Sequence, residues 1–337
     1  MIREAIGRVA EGRDLSGREA GEVMHEILSG GATPAQVGGF LAAMRMKGES
    51  VDEIAAFAQA MREASVRIRP RVTGVLVDTC GTGGDGSGTF NISTTAAFVV
   101  AGAGVPVVKH GNRGATSRCG SADVLAALGV GLDLGPERAR EIVEEIGFVF
   151  LYAPAYHPAL GRVSGVRSEI GVRTVFNLLG PLANPAGAGA QLVGVYSPAL
   201  VETVAGVLKS LGVGRAMVVH GSGIDEISTA GPTHVAELRD GAVRTYDLAC
   251  EDYGIPPASL SDLAGGDTAE NAQILRGVLD GEHGPARDIV LLNAAAAIYL
   301  GGRARSLRDG LCRAEDSIDS GKAREKLDAL VRATGGA

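Results

Sequence analysis

The sequence predicts an α/β protein: a small N-terminal helical domain, then a larger α/β domain with a mixed, mostly parallel central sheet. Three observations carry that expectation. The first 66 residues are punctuated as helices, short apolar runs alternate with helical stretches from Val75 onward, and an Asp-Gly pair near residue 240 stands between two alternating runs.

Ser16 with Glu19, and Ser50 with Glu53, fit the capping box, in which each partner satisfies an orphan N–H at a helix start. Between them Thr33-Pro34-Ala35-Gln36 offers an N-cap, a proline at the first helical position and a glutamine three residues after the cap. Val37, Phe40, Leu41 and Met44 then share one helix face, as do Ile54, Phe57, Ala58 and Met61. Residues 1–66 are expected to form a helical bundle too small to cover its own apolar faces. Residues 67–74 read as a linker, and 75–337 as the α/β domain.

In that second part VLVD, VPVVK, FVFLYA, QLVGVYS and RAMVVHG are strand candidates, with helices through TTAAFVVAGAG and ADVLAALG. Strand–helix alternation calls for a largely parallel sheet. Ser197-Pro198 is expected to cap the helix before RAMVVHG. THVAEL and AVRTYDL flank Asp240-Gly241, a hairpin signal that adds an antiparallel part. NAAAAIYLGG and residues 303–334 close the chain as helices.

Composition narrows the function. Of 337 residues 50 are Gly, 45% are hydrophobic and none is Trp, which suits a sizeable core with backbone-lined loops rather than a β-sandwich. The net charge of −7 argues against a nucleic-acid partner, because neutralising phosphates supplies much of such binding. Cys80, Cys119, Cys250 and Cys312 show no CxxC or zinc spacing and read as reduced thiols. With no apolar leader and no membrane-length segment, a cytoplasmic location without a membrane partner is expected.

Three loops carry chemistry. Directly after a strand comes Cys80-Gly81-Thr82-Gly83-Gly84-Asp85-Gly86, then Thr89-Phe90-Asn91-Ile92-Ser93-Thr94 at a helix start. Glycines let the backbone approach an anion, and the helix end offers free N–H donors. A tight strand–helix turn would explain the glycines alone; the crowd of polar side chains favours a phosphate site. Asp85 suits a ribose hydroxyl or a metal-bound water better than a phosphate. Neither the P-loop Gly-Lys-Ser/Thr nor the dinucleotide GxGxxG spacing is present. The second loop, Lys109-His110-Gly111-Asn112-Arg113-Gly114-Ala115-Thr116-Ser117, combines cations, hydroxyls and backbone donors that could grip a pyrophosphate. The third is Asp225-Glu226 after RAMVVHGSGI. An adjacent pair of carboxylates is usually just solvated, but at a strand end beside phosphate loops it can hold Mg²⁺, which takes one or two carboxylates plus substrate phosphates.

The strings GTGGDGSGTFNIST, KHGNRGATSRCGSADVLAALG, HPALGRVSGVRSEIGVRTVFNLLGPLANP and VHGSGIDEIS follow one another in an order that resembles the anthranilate phosphoribosyltransferase family over most of the chain. The resemblance implies a nucleoside phosphorylase/phosphoribosyltransferase-like fold and a homodimer joined through the helical domains. It also implies transfer of the phosphoribosyl group of phosphoribosyl pyrophosphate to anthranilate, with Mg²⁺, in tryptophan biosynthesis. By position it makes Gly81, Gly84, Asp85, Thr89, Asn91, Ile92, Ser93, Thr94, residues 109–117 and Ser121 contacts of phosphoribosyl pyrophosphate. Ser93, Asp225 and Glu226 correspond to Mg²⁺ ligands, and Lys109, Asp225 and Glu226 to the groups acting on the reaction. Gly81, Asn112 and Arg167 correspond to anthranilate contacts, with His110, Tyr156 and Pro181 lining the acceptor channel and residues 157–185 bordering it. Residues 157–170 read as a helix ending at Gly171, so Arg162 and Arg167 fall on different faces and Arg173 lies beyond the stop. Gly114, Thr116 and Cys119 depart from the family's usual small residues. The alternatives are a nucleoside phosphorylase or another phosphoribosyltransferase of this architecture, and a non-catalytic relative that binds nucleic acid. The KHGNR loop weakens the phosphorylase reading, and the acidic charge weakens the last.

Overall fold

The structure, a computed structural model, describes residues 1–114 and 117–335. Four helices come first: α1 Ile2–Ala10, α2 Gly17–Ser29, α3 Pro34–Lys47 and α4 Val51–Glu63. The anticipated caps are present at Ser16, Thr33 and Ser50, each with its reciprocal Glu or Gln three residues on. Every apolar residue named for the α3 and α4 faces is buried.

Strand and helix then alternate: β1 Val77–Gly81, α5 Ile92–Gly102, β2 Val107–Gly111, α6 Ser121–Ala127, α7 Pro136–Ile146 and β3 Phe148–Tyr152. Three short helices, α8 Ala153–Tyr156, α9 Gly161–Ile170 and α10 Phe176–Leu182, lead to β4 Ala190–Gly194, α11 Val201–Ser210 and β5 Arg215–Gly221. The hairpin β6 Thr233–Arg239 and β7 Ala242–Leu248 precedes α12 Thr268–Leu279, α13 Pro285–Leu300, α14 Leu307–Asp319 and α15 Lys322–Ala333. One sheet in the order β3-β2-β1-β4-β5-β6-β7 holds all seven strands. β1 to β5 are parallel, and β6 and β7 antiparallel. Asp240 at φ 51° and Gly241 at φ 74° are both left-handed, as the two-residue turn of this hairpin demands.

Several details differ from expectation. β1 begins at Val77 rather than Val75. Ser197 opens a short 3₁₀ turn, Pro198–Leu200, without a side-chain cap, and α11 follows. α7 and α12 had no place in the sequence reading. Their signals are local: Pro136 at the first position with Gly147 beyond the end, and a capping box of Asp267 with Glu270.

Successive strand residues point to opposite faces, and here both faces are covered. Leu192, Met217 and Val219 belong to one core with α5, α7 and α12–α15, whereas Val193, Ala216 and Val218 belong to another. That second core contains α1–α4 together with Val163, Val166, Phe176 and Leu179 of α9 and α10 and the apolar face of α11. The N-terminal helices therefore bury their apolar stripes against the sheet and against helices that arrive between β3 and β5. Among the described residues no helix is long and apolar enough to cross a membrane.

Glu53 ties this bundle together. Fully buried, it accepts from Ser50 N–H at 2.8 Å, Leu15 N–H at 2.9 Å and Lys47 Nζ at 2.8 Å. Ser50→Ala is expected to cost about 1 kcal/mol as a lost cap. Glu53→Ala leaves the Ser50 and Leu15 N–H groups without their acceptor, while Lys47 Nζ keeps Asp14 Oδ1 and Gly48 O; it should cost more than the cap alone, roughly 1–3 kcal/mol for each group left unsatisfied. Equal losses of unfolding free energy in urea would contradict this ranking.

Candidate active site

The order of the sheet reverses between β1 and β4, which is where a ligand crevice opens at the carboxyl ends of an α/β sheet. At that point Gly81 is in register with Gly194. The turn after β5 folds back over both. A Cβ at Gly194 would lie 1.5 Å from the Asp225 carbonyl oxygen, and one at Gly81 would lie 2.1 Å from Asp225 Oδ2. Only residues without a side chain let the carboxylate turn sit there.

The turn joins the loops that the sequence presents separately. Gly83 N–H donates to Asp225 Oδ2 at 2.7 Å, Asp225 N–H to Asp85 Oδ2 at 3.2 Å, and Ser93 N–H to Glu226 Oε1 at 3.1 Å. Asp85 also accepts from the N–H and Oγ of Ser87, so it is held within the glycine loop beside Gly84. Thr89 anchors that loop through a bridge to Ala264. Asn91 precedes α5 and donates through Nδ2 to Cys119 O at 3.2 Å, leaving its buried Oδ1 without a partner. The Ile92 and Thr94 side chains lie in the interior, so a ligand at this helix start would meet their backbone.

Lys109, only 2% exposed, donates to Thr79 O and to Ser93 Oγ at 3.3 Å. An ammonium has three donors, and two are in use. Burial raises the Asp225 carboxyl, and the neighbouring Asp85 charge raises it further. Burial likewise raises Glu226, with Asp225 adding to the shift and Lys109 opposing it. Under Lys109 lies Asp78, fully buried, which accepts from Asn184 Nδ2 at 2.7 Å and His110 N–H at 3.3 Å. The sequence reading missed Asp78 and Asn184. A carboxylate inside an apolar strand was the available signal.

The second loop continues from β2. Gly111 ends the strand against Ser121 and Phe150, and Asn112 O accepts from Ser121 Oγ at 3.2 Å. Arg113 and Gly114 follow on the surface, Ser117 is exposed and donates weakly to Cys119 O, and Ser121 opens α6. Ala115 and Thr116 lie outside the described residues.

Residues 157–185 reach the same edge at three points. His110 Nδ1 stands 3.2 Å from Gly180 O, the His110 and His157 rings are 5.0 Å apart, and Arg173 Nη2 donates to Gly84 O while stacking 4.4 Å over Tyr196. Both His110 and His157 are buried with an unpaired Nε2. The three arginines separate cleanly. Arg162 Nη1 donates to Leu28 O at 2.6 Å, completing the end of α2. Arg167 lies 5.2 Å over the Phe176 ring, and among the described residues its guanidinium makes no hydrogen bond or ion pair; burial pulls its pKa down. Two channel expectations need amendment. The Tyr156 hydroxyl donates to Leu134 O at 2.9 Å within the α/β core, so its ring packs the interior. Pro181 is buried inside α10, where its carbonyl accepts from Gln191 Nε2.

Residues 73–324 match the family described as "Glycosyl transferase family, a/b domain", and residues 3–65 its helical bundle domain. Anthranilate phosphoribosyltransferase of Methanocorpusculum labreanum is 59% identical over 336 residues, covering 100% of this chain and 99% of that protein. The chain belongs to the anthranilate phosphoribosyltransferase family. The crystal structure of the Thermus thermophilus member superposes with a TM-score of 0.94 at 46% identity, covering 98% of this chain and 99% of that one. The Saccharomyces cerevisiae member, solved with phosphoribosyl pyrophosphate and Mg and separately with 4-fluoroanthranilate, is 29% identical with TM-scores of 0.90 and 0.89. Each comparison covers 100% of this chain and 98% of the yeast chain.

The residues present fit a divalent ion. Asp225, Glu226 and Asp85 crowd negative charge that the structure only partly offsets with Lys109. Among the described residues no group of three His, Cys, Asp or Glu side chains could hold an ion unaided.

Burial and the neighbouring His157 pull His110 down to about 3, and burial pulls His157 to about 4 from its ordinary 6.5. Both are neutral imidazoles at pH 7. Between pH 6.5 and about 4 the unfolded chain binds more protons at His157 than the folded one, so stability falls on acidification through that window. His157→Gln should remove up to about 1.4 kcal/mol per pH unit of this slope. Urea unfolding at several pH values between these limits measures it, and an unchanged slope would refute the buried neutral form.

Proposed function

We propose that this chain transfers the phosphoribosyl group of phosphoribosyl pyrophosphate to the amine of anthranilate, giving N-(5-phosphoribosyl)anthranilate and pyrophosphate in tryptophan biosynthesis. The observation that carries the reading is the junction at Asp225, where the glycine loop, the start of α5 and the carboxylate turn meet beside Lys109.

The glycine loop, the first turn of α5 and the loop after β2 hold the phosphoribosyl pyrophosphate. Their backbone N–H groups and the remaining Lys109 donor face the charge that grows on the departing pyrophosphate, a preorganised electrostatic stabilisation. Ser93, Asp225 and Glu226 would hold Mg²⁺, which supplies further neutralisation of that charge when bound. No covalent nucleophile is required. The amine of anthranilate is an aniline, neutral near pH 7, and attacks the anomeric carbon as the C–O bond to pyrophosphate breaks; the surplus proton on nitrogen then passes to water. Orientation supplies much of the remainder. Arg167 can hold the anthranilate carboxylate through two parallel N–H bonds, with Asn112 and Gly81 beside it. The domain division follows the linear order, with residues 1–66 helical, 75–337 binding phosphoribosyl pyrophosphate and Mg²⁺, and 157–185 lining the acceptor side between them. All four cysteines are free thiols, in keeping with a cytoplasmic enzyme.

Loss of anthranilate fluorescence in the presence of phosphoribosyl pyrophosphate and Mg²⁺ tests the activity, and no loss with either substrate withheld or chelator added is expected. Arg167→Ala should raise the anthranilate KM about ten- to a hundredfold, the loss of a hydrogen-bonded charge contact, with a much smaller change for phosphoribosyl pyrophosphate. Arg162→Ala should instead lower thermal stability. An inactive wild type would reject the function; the KM effect appearing in Arg162→Ala and not in Arg167→Ala would reject the assignment.

We infer further that two copies join through α1–α4; their apolar stripes are already covered within the chain, so the contact uses the outer face of the bundle. Met46 on α3 is 90% exposed. Light scattering at micromolar concentration should give the mass of a dimer, and a fully active monomer would rule this out.

A further inference from the structure

The loop between β2 and α6 is pinched shut at its base. A Cβ at Gly120 would lie 2.2 Å from Gly114 N and 2.4 Å from the Arg113 carbonyl carbon, so the two backbone segments touch. Such an approach needs something to hold it. Asp123 Oδ2 accepts from Gly114 N–H at 2.9 Å and from Gly120 N–H at 3.0 Å. Its other oxygen, Oδ1, accepts from Arg113 Nη1 at 2.8 Å, and that guanidinium lies 6.0 Å from the Tyr152 ring centroid. One carboxylate thus binds three donors from both limbs of the loop. A helix cap alone would need one of them, Gly120.

We propose that Asp123 is a positioning residue for the transfer reaction: by clasping Gly114, Gly120 and Arg113 it sets the loop that grips the pyrophosphate. The inference rests on the reading that residues 109–117 and Ser121 bind phosphoribosyl pyrophosphate. The donors that Asp123 binds all belong to the loop itself, so it acts through the loop rather than on the substrate. Its role is to spare the loop the ordering that ligand binding would otherwise demand, which strengthens binding by preorganisation. Although partial burial works against it, the two glycine N–H groups and Arg113 hold its carboxyl below the ordinary range, as expected for an anion with charge-assisted bonds.

The two oxygens have separate tasks, and substitution can divide them. In Asp123→Asn the amide oxygen can still accept both glycine N–H groups, while its NH₂ faces Arg113 and releases it. Asp123→Ala removes everything. The expected result is a rise of about tenfold or more in the phosphoribosyl pyrophosphate KM for Asp123→Ala, the scale of a lost charge-assisted bond. The anthranilate KM should stay within about twofold, and Asp123→Asn should recover most of the loss. Calorimetric titration of each variant with phosphoribosyl pyrophosphate and Mg²⁺ gives the same ranking without turnover. Gly120→Ala, which forces the pinch apart, should reproduce the phenotype of Asp123→Ala and serves if that variant folds poorly. A phosphoribosyl pyrophosphate KM near wild type in both variants would overturn the proposal. So would equal rises for both substrates with a lowered Tm and no rescue by Asn, the pattern of a structural cap. An inactive wild-type enzyme would instead strike at the function.

Discussion

The turn bearing Asp225 rests directly on the ends of β1 and β4, its carboxylate at Gly81 and its backbone at Gly194, and the arrangement of the site follows from that contact. Two neighbouring parallel strands end at Gly81 and Gly194, and the absence of side chains there lets a third segment close over them. Once it does, Asp225 can reach Gly83 and Asp85 in the glycine loop, and Glu226 can reach the first turn of α5. Any larger residue at either glycine would lift the carboxylates away from the loops they organise. The switch in strand order supplies the crevice, and the glycines determine how closely it is lined.

Charge is concentrated at this edge at an energetic cost. Isolated ions taken out of water lose several kcal/mol of solvation even after relaxation, and here Lys109 and Asp78 are buried while Asp225 and Glu226 are half-buried. Lys109 and Asp78 partly compensate one another, with Asn184 and His110 N–H completing the carboxylate's shell. Asp225 and Glu226 are not compensated in this way, and burial raises both. A fold that keeps such a pair gains nothing in stability from it. The arrangement makes sense as a site waiting for positive charge, with its dipoles fixed before the substrate arrives.

The helices between β3 and β4 connect the two halves of the molecule. α9 and α10 share a core with α1–α4, yet the segment holding them also supplies His157 and Gly180 to His110 and Arg173 to the glycine loop. The helical bundle is thereby mechanically continuous with the glycine-loop side of the site. Arg167 sits on this segment with its guanidinium unpaired among the described residues, whereas Arg162, one turn and a half away, is consumed in ending α2.

The features legible in the sequence are those whose physical cause is confined to a few neighbouring residues. Capping boxes act between positions three apart, the Asp240-Gly241 turn needs two left-handed residues, and loops rich in glycine and hydroxyls announce themselves. These were enough for the fold class, the strand candidates and the three loops. Local signals were not always decisive: Ser197 makes no side-chain cap, and α7 and α12 lay outside the sequence reading although Pro136 and the Asp267–Glu270 box mark their starts. Tertiary structure alone decided the rest. Asp225 meets Gly83 across 142 residues, Tyr156 turns into the core toward Leu134, and only packing distinguishes the free arginine from the one that completes a helix. The reason is physical. A local signal acts through bonds within one turn, whereas the site is made by strand order and close backbone approach, which no short stretch of sequence contains.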